Sequence, residues 1–322
     1  MIEPVLAIHG GAGAITRAQI TPEIQRDYEE ALRAVLAGGE RVLAGGGSAL
    51  DAVTEAVLLL EECPLFNAGH GSVFTRTAEH ELDASIMDGR TLGCGAVANI
   101  KVIRNPVLAA RAVMERSPHV FLVGEGAEAF ACDAGLERVE PSFFSTPARR
   151  DQLRLAQESG VETIVLDHDG HRDVMTARAP LDESRKMGTV GAVALDGCGN
   201  LAAATSTGGL TNKWPGRVGD SPVIGSGCYA RNATCAVSTT GKGEAFIRAQ
   251  AAHDVSAMME YAGMSLSQAA DRMVFHKLPP LDGAGGLIAV DRSGNVVMPF
   301  NTEGMYRGSV VVGRPAFVGI YR

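Results

Sequence analysis

The sequence is poor in aromatic residues, which make up 5% of its 322 positions and include a single tryptophan. A core built from it must rely on small and branched aliphatic side chains rather than stacked rings. Metal-binding spacing is missing as well. The six cysteines (Cys63, Cys94, Cys132, Cys198, Cys228, Cys235) contain no CxxC pair. The eight histidines form no HExxH, and their closest pair, His168 and His171, lies in a polar stretch. The cysteines read as free thiols, which argues against a Cys/His metal centre. No apolar run approaches the ~18 residues of a membrane span. No basic run or aromatic-interleaved patch suggests nucleic acid, and the net charge is −8. The opening Met1-Ile2-Glu3-Pro4 carries neither a basic region nor a long apolar one, so the expectation is a chain without a secretory leader, in the cytoplasm.

What is present is 46% hydrophobic residues and 39 glycines. That suffices for a sizeable core, in one large or two ordinary domains, with tight turns and closely approaching backbones. Val5 to His9 reads as a strand followed by a close turn at Gly10-Gly11-Ala12-Gly13. Thr16 stands where a dinucleotide fingerprint needs its third glycine, so phosphate binding is disfavoured. Thr21-Pro22 opens a helix to Leu43 with Ile24, Leu32, Val35 and Leu36 on one side, and Ser48 with Asp51 makes a capping box for the next. Strands are expected near 81–89, 93–102 and 119–123, and helices from Asn105-Pro106, Glu125 and Thr146-Pro147. Residues of about 160–187 read as a mobile connector. Beyond it come small-residue strands, one helix from Lys242 to Glu260, a helix from Ser265, and further strands.

The connector ends abruptly at Gly188-Thr189. Gly188 has no Cβ, and its carbonyl can take an unusual geometry. The Thr189 hydroxyl could attack that carbonyl and cut the chain. The new terminal amine, with a pKa near ~8, would then serve as base for the hydroxyl beside it. Strands Val190–Leu195 and Leu201–Thr207 flank a glycine-rich loop. A five-residue loop pairs Leu195 with Leu201 and sets Thr207 across from Thr189, whereas a four-residue loop turns Thr207 to the other face. Arg217 and Asp220 stand three apart in a Gly/Pro-rich loop that also holds Trp214. They suit the carboxylate and ammonium of an α-amino acid, or else form a surface ion pair worth about 0–1 kcal/mol. Thr240 and the Gly241 N–H, before Lys242, could meet a developing oxyanion. The irregular segment from Glu61 to Phe74 could turn carbonyls onto a monovalent cation, or be a solvated loop. Taken singly, each of these is more often structural.

Together, His9-Gly10-Gly11-Ala12-Gly13, Asn67-Ala68-Gly69, Gly188-Thr189-Val190-Gly191-Ala192-Val193-Ala194, Thr205-Ser206-Thr207-Gly208-Gly209, Pro215-Gly216-Arg217-Val218-Gly219-Asp220 and Thr240-Gly241 resemble the plant-type (type III) L-asparaginase and isoaspartyl peptidase family of N-terminal-nucleophile hydrolases. The resemblance implies an α+β fold, a four-layer αββα sandwich. It implies cleavage into an α subunit (1–188) and a β subunit (189–322) that form one intertwined domain and pair as an (αβ)2 dimer. Thr189 would be nucleophile and base with Thr207 beside it. Thr240 and Gly241 would hold the oxyanion, Arg217 the α-carboxylate and Asp220 the α-ammonium, with Asn67 supporting the site. Carbonyls of Leu60, Glu61, Cys63, Phe66, Ala68 and His70 would bind a sodium or potassium ion, and no organic cofactor is implied. His70, Trp214 and Lys242 depart from the residues the family pattern leads one to expect. The implied activity is hydrolysis of β-aspartyl dipeptides and L-asparagine. A glycosylasparaginase-like amidohydrolase and a non-catalytic Gly-rich binding protein are the alternatives.

Overall fold

A computed structural model of the chain describes residues 2–13, 21–158 and 186–322. The expected connector lies outside the described residues except for Lys186 and Met187, and so do Thr16, His168 and His171. The chain runs β1 (Val5–Gly13), α1 (Pro22–Ala44), α2 (Ala49–Glu62), β2 (Leu82–Asp88), β3 (Cys94–Ile100), α3 (Pro106–Arg116), β4 (Phe121–Val123), α4 (Gly124–Asp133) and α5 (Pro147–Glu158). It continues with β5 (Lys186–Met187), β6 (Val190–Leu195), β7 (Leu201–Thr207), β8 (Cys228–Ala230), β9 (Cys235–Gly241), α6 (Gly243–Ala249), α7 (Ala251–Ala262) and α8 (Leu266–Arg272). The last strands are β10 (Gly285–Asp291), β11 (Val296–Val297), β12 (Gly304–Val311) and β13 (Phe317–Gly319). This is a mixed α+β protein.

Local chemistry explains the starts of α1 and α2. The Thr21 hydroxyl accepts from the Ile24 N–H at 3.3 Å, and both halves of the Ser48–Asp51 capping box are made. At α3 the expected cap is not used. Asn105 donates instead to Glu62, and the Val107 N–H is taken by Glu61 Oε1 at 2.9 Å, from the end of α2. Three other expectations need correction. The strand β1 does not turn after His9 but runs on to Gly13 across a bulge between His9 and Gly11. The helix after Lys242 is two helices, because Gln250 takes a left-handed φ of 49°. Ile24 is 41% exposed, off the face of α1 that Tyr28, Leu32, Val35 and Leu36 bury.

The strands form two sheets. The larger has the order β13-β12-β1-β6-β7-β2-β3-β4, with β5 also on β1, and the smaller is β11-β10-β9-β8. The period-two alternation of side chains sorts each strand between two cores. Leu6 and Ile8 of β1, Val190, Ala192 and Ala194 of β6, and Ala202 and Ala204 of β7 join the core that holds the buried faces of α1, α2 and α3. Their alternate neighbours, Val5, Ala7, Val193, Leu195, Leu201 and Ala203, join a second core with Ala236, Ile288 and Val290 of the smaller sheet. The other side of that sheet, with Cys235, Val237, Leu287 and Ala289, packs with Phe246, Val255, Ala269 and Ala270 of α6, α7 and α8. The second core is mostly alanine, valine and leucine, which is the use to which the shortage of rings is put.

Strands β6 and β7, which follow Thr189, lie between β1 and β2, which precede Gly188. The two halves therefore share one hydrogen-bonded sheet and its cores. A chain cut between Gly188 and Thr189 should elute as one particle in native size-exclusion chromatography and separate only in denaturant. Two independently eluting pieces under native conditions would contradict this strand order.

Candidate active site

The β6–β7 hairpin puts the first two candidates together. Leu195 pairs with Leu201 and Val190 with Ser206, which is the five-residue-loop register. Thr189 Oγ1 donates to Thr207 Oγ1 at 3.3 Å and lies 3.4 Å from Ser221 Oγ. Thr207 Oγ1 also accepts from the Gly209 N–H at 2.9 Å, which fixes its orientation. Thr189, Thr207 and Ser221 are all buried. With its hydrogen directed at Thr207, the Thr189 oxygen has lone pairs left to act as a nucleophile. The structure is of the unbroken chain, so the nitrogen of Thr189 is here an amide.

The carbonyl of Thr189 is held as well. His9 Nδ1 lies 2.9 Å from it, and His9 Nε2 lies 2.9 Å from Ser238 Oγ. A carbonyl can only accept, so the proton is on Nδ1, and Nε2 accepts from the Ser238 hydroxyl. Thr205 Oγ1 lies 2.7 Å from Ser238 Oγ and extends this chain of hydroxyls. Burial drives the His9 pKa down to about 3, against the opposing pull of its bond to Thr189, so the ring is neutral. Gly191 makes the contact possible, since a Cβ there would lie 2.0 Å from Ser238 Oγ and 2.6 Å from His9 Nε2.

Gly188, Thr189, Thr207, Arg217, Asp220, Ser221 and Gly241 line one cleft. Asp220 is buried and accepts from the Thr239 hydroxyl at 2.7 Å. Burial raises its pKa to about 6 although that bond and Arg217 act against it. Arg217 does not pair with Asp220. Its Nε and Nη2 both reach Glu244 Oε1, each at 2.9 Å. The Thr240 hydroxyl is buried with no hydrogen-bond partner among the described residues. Such a group costs about 1–3 kcal/mol; Thr240 itself does not line the cleft, which its neighbour Gly241 does. Thr240 and Gly241 belong to the end of β9 rather than to a following loop.

Asn67 stands behind the cleft. Its Nδ2 donates to the Gly209 carbonyl at 2.7 Å, and its Oδ1 accepts from the Val73 N–H at 2.9 Å. A Cβ on Gly188 would come within 2.8 Å of Asn67 Cβ, so only glycine lets the chain pass there undisturbed. Trp214 and Lys242 are not cleft-lining residues. Trp214 is 60% exposed, with the Arg76 guanidinium 4.9 Å from its ring.

The loop carrying Asn67 is the one expected to hold a cation. It is tightly wound rather than solvated. The Leu60, Cys63 and Glu61 carbonyls accept from the N–H groups of Cys63, Phe66 and His70 at 3.3, 3.2 and 2.7 Å. Gly69 has φ +51°, and the Glu61 carbonyl oxygen lies 2.4 Å from where its Cβ would be. Each of these three carbonyls keeps a second lone pair after these bonds. No cluster of three or more His, Cys, Asp or Glu that could hold a metal occurs among the described residues. Arg149 Nε donates to the Gly71 carbonyl at 2.7 Å and Tyr28 Oη to that of Leu65 at 3.2 Å, bracing the loop.

Several of these participants escape a reading of the sequence. Ser221 adjoins Asp220, and that adjacency was the available signal. His9 sits in a quoted motif but reads there only as the end of a strand. Its partners Thr189 and Ser238 are 180 and 229 positions away. Nothing in the sequence pairs Glu244 with Arg217.

Known proteins resemble this chain over nearly its whole length. A family model described as asparaginase matches residues 2–318. An Escherichia coli (strain K12) protein named isoaspartyl peptidase is 61% identical over 322 residues, covering 100% of this chain and 97% of the relative. An Arabidopsis thaliana protein named probable isoaspartyl peptidase/L-asparaginase 2 is 43% identical, covering 94% of each. A Xenopus laevis isoaspartyl peptidase/L-asparaginase is 40% identical over 99% of this chain and 96% of its own length. The chain belongs to the plant-type L-asparaginase and isoaspartyl peptidase family of N-terminal-nucleophile hydrolases.

Proposed function

We propose that this protein cuts itself before Thr189 and then hydrolyses β-aspartyl dipeptides and L-asparagine, releasing L-aspartate. The observation that carries the reading is the hydroxyl of Thr189 set 3.3 Å from that of Thr207, in the cleft that Arg217 and Asp220 also line. In the first step Thr189 Oγ1 attacks the Gly188 carbonyl carbon, and the peptide becomes an ester with the amine freed. Water then cleaves the ester, leaving a Gly188 carboxylate and a terminal Thr189. Asn67, packed against Gly188, keeps that carbonyl in place.

In turnover the substrate α-carboxylate lies on Arg217 and its ammonium on Asp220. The Thr189 amine takes the hydroxyl proton as Oγ1 attacks the β-carbonyl carbon. The oxyanion that forms is met by the unpartnered Thr240 hydroxyl and the Gly241 N–H. The departing amine takes the proton, and a β-aspartyl ester remains on Oγ1. Water attacks that ester by the same route and frees L-aspartate. His9 holds the Thr189 carbonyl throughout, so the new chain end keeps its place once the bond to Gly188 is gone. A sodium or potassium ion on the carbonyls of Leu60, Glu61, Cys63, Phe66, Ala68 and His70 would stiffen the loop bearing Asn67. No organic cofactor enters the scheme.

We infer a four-layer αββα sandwich from the three stacked cores, and an α subunit (1–188) and β subunit (189–322) that pair as an (αβ)2 dimer. The interleaving of β6 and β7 with β1 and β2 supports the intertwined domain.

Thr189→Ala should lose self-cleavage and lower turnover by roughly 10³-fold or more. Two normal fragments on a denaturing gel of that variant would end the scheme. Asp220 predicts the pH response of substrate binding. Only its carboxylate receives an ammonium, and its pKa in the free protein is about 6. KM should therefore rise as pH falls through about 6, while kcat lacks that step because the bound ammonium keeps Asp220 ionised. A KM that stays level from about pH 7 to 5 would remove Asp220 from this role.

A further inference from the structure

The Arg217–Glu244 contact lies outside the roles assigned so far. Arg217 lines the cleft, and Glu244, half exposed near the start of α6, is not one of its lining residues. One carboxylate oxygen, Glu244 Oε1, takes both Nε and Nη2 of the guanidinium at 2.9 Å. A guanidinium has five N–H groups in one plane, and two of its edges can grip a carboxylate with parallel bonds. Glu244 occupies the Nε side: Nε–H donates to Oε1, and Nη2 lies 2.9 Å from the same oxygen. The Nη1 and Nη2 hydrogens directed away from Glu244 make up the other gripping edge.

The backbone on either side confines the group. A Cβ on Gly219 would lie 2.9 Å from Arg217 Nη1, and one on Gly243 would lie 3.0 Å from Nη2 and 2.8 Å from Asp220 Oδ1. The guanidinium is thus flanked by two glycines and tied at one end by a carboxylate. Arg217 carries a long flexible stem, and restraining it in advance lowers the cost of meeting a ligand.

We propose that Glu244 is a positioning residue for the substrate α-carboxylate: it holds the Nε edge of Arg217 so that the Nη1/Nη2 edge faces the cleft. This rests on the reading of Arg217 given above. The side chain of Glu244 touches no reacting atom. Its effect falls on binding of the carboxylate and not on the steps at Thr189.

The test compares wild type, Glu244→Ala and Glu244→Gln, each first shown by denaturing gel to be fully cleaved. Steady-state kinetics are measured on L-asparagine and on 3-aminopropanamide, which is asparagine without its α-carboxylate. With L-asparagine, Glu244→Ala should raise KM roughly tenfold with kcat within about twofold, and Glu244→Gln, which keeps an oxygen acceptor, should recover most of the loss. With 3-aminopropanamide, kcat/KM of Glu244→Ala should match wild type. An unchanged KM for L-asparagine, or an equal loss on both substrates, would overturn the proposal. Failure of the underlying reading would look different: wild type would then fail to favour L-asparagine over 3-aminopropanamide.

Discussion

The site depends on the register of one hairpin. Asp196 to Asn200 make a five-residue loop between β6 and β7, and Asp196 Oδ1 accepts the N–H groups of Cys198 and Asn200 at 2.9 Å each, holding the loop closed. That loop length aligns Leu195 with Leu201 and, at the far end, brings the hydroxyls of Thr189 and Thr207 together. Slipping the register by one residue would turn every second side chain to the other face. The slip is opposed along the whole hairpin, because Val190, Ala192 and Ala194 are needed in one core and Val193 and Leu195 in the other. The packing of two cores thus sets a distance between two hydroxyls.

The second constraint is closeness. Small residues allow polar groups from distant parts of the chain to meet inside the protein. Gly191 leaves room for His9 and Ser238, Gly188 for Asn67, and Gly219 and Gly243 for the Arg217 guanidinium. Burial raises the Asp220 pKa, and the Thr240 hydroxyl, beside cleft-lining Gly241, is left without a partner among the described residues. Thr240 is held by strand β9, whereas Arg217 and Asp220 lie on the loop between β7 and β8.

Much of this could be read in advance, and the reasons are local. The caps at Thr21 and Ser48 work through neighbours three positions on, so the sequence displays them. The hairpin register follows from a loop length that can be counted. What could not be read is long-range. Glu61 caps α3 in place of Asn105 because folding brings the end of α2 alongside it. The glycines after His9 continue β1, because β12 and β5 pair with that stretch and override its preference for turning. Arg217 faces Glu244 rather than Asp220 through a contact that spans 27 positions. The residues proposed for catalysis were found by their pattern. Those that position them, His9, Ser238, Ser221 and Glu244, became visible only once the chain was folded.

The central claim is that Thr189 acts as a free chain end, its own amine activating its hydroxyl. The direct measurement is the intact mass of the purified protein in a preparation with demonstrated activity. The account predicts two species whose masses correspond to breakage between Gly188 and Thr189, the second beginning with an unblocked threonine. A fully active preparation that shows only the unbroken 33.6 kDa chain would contradict it.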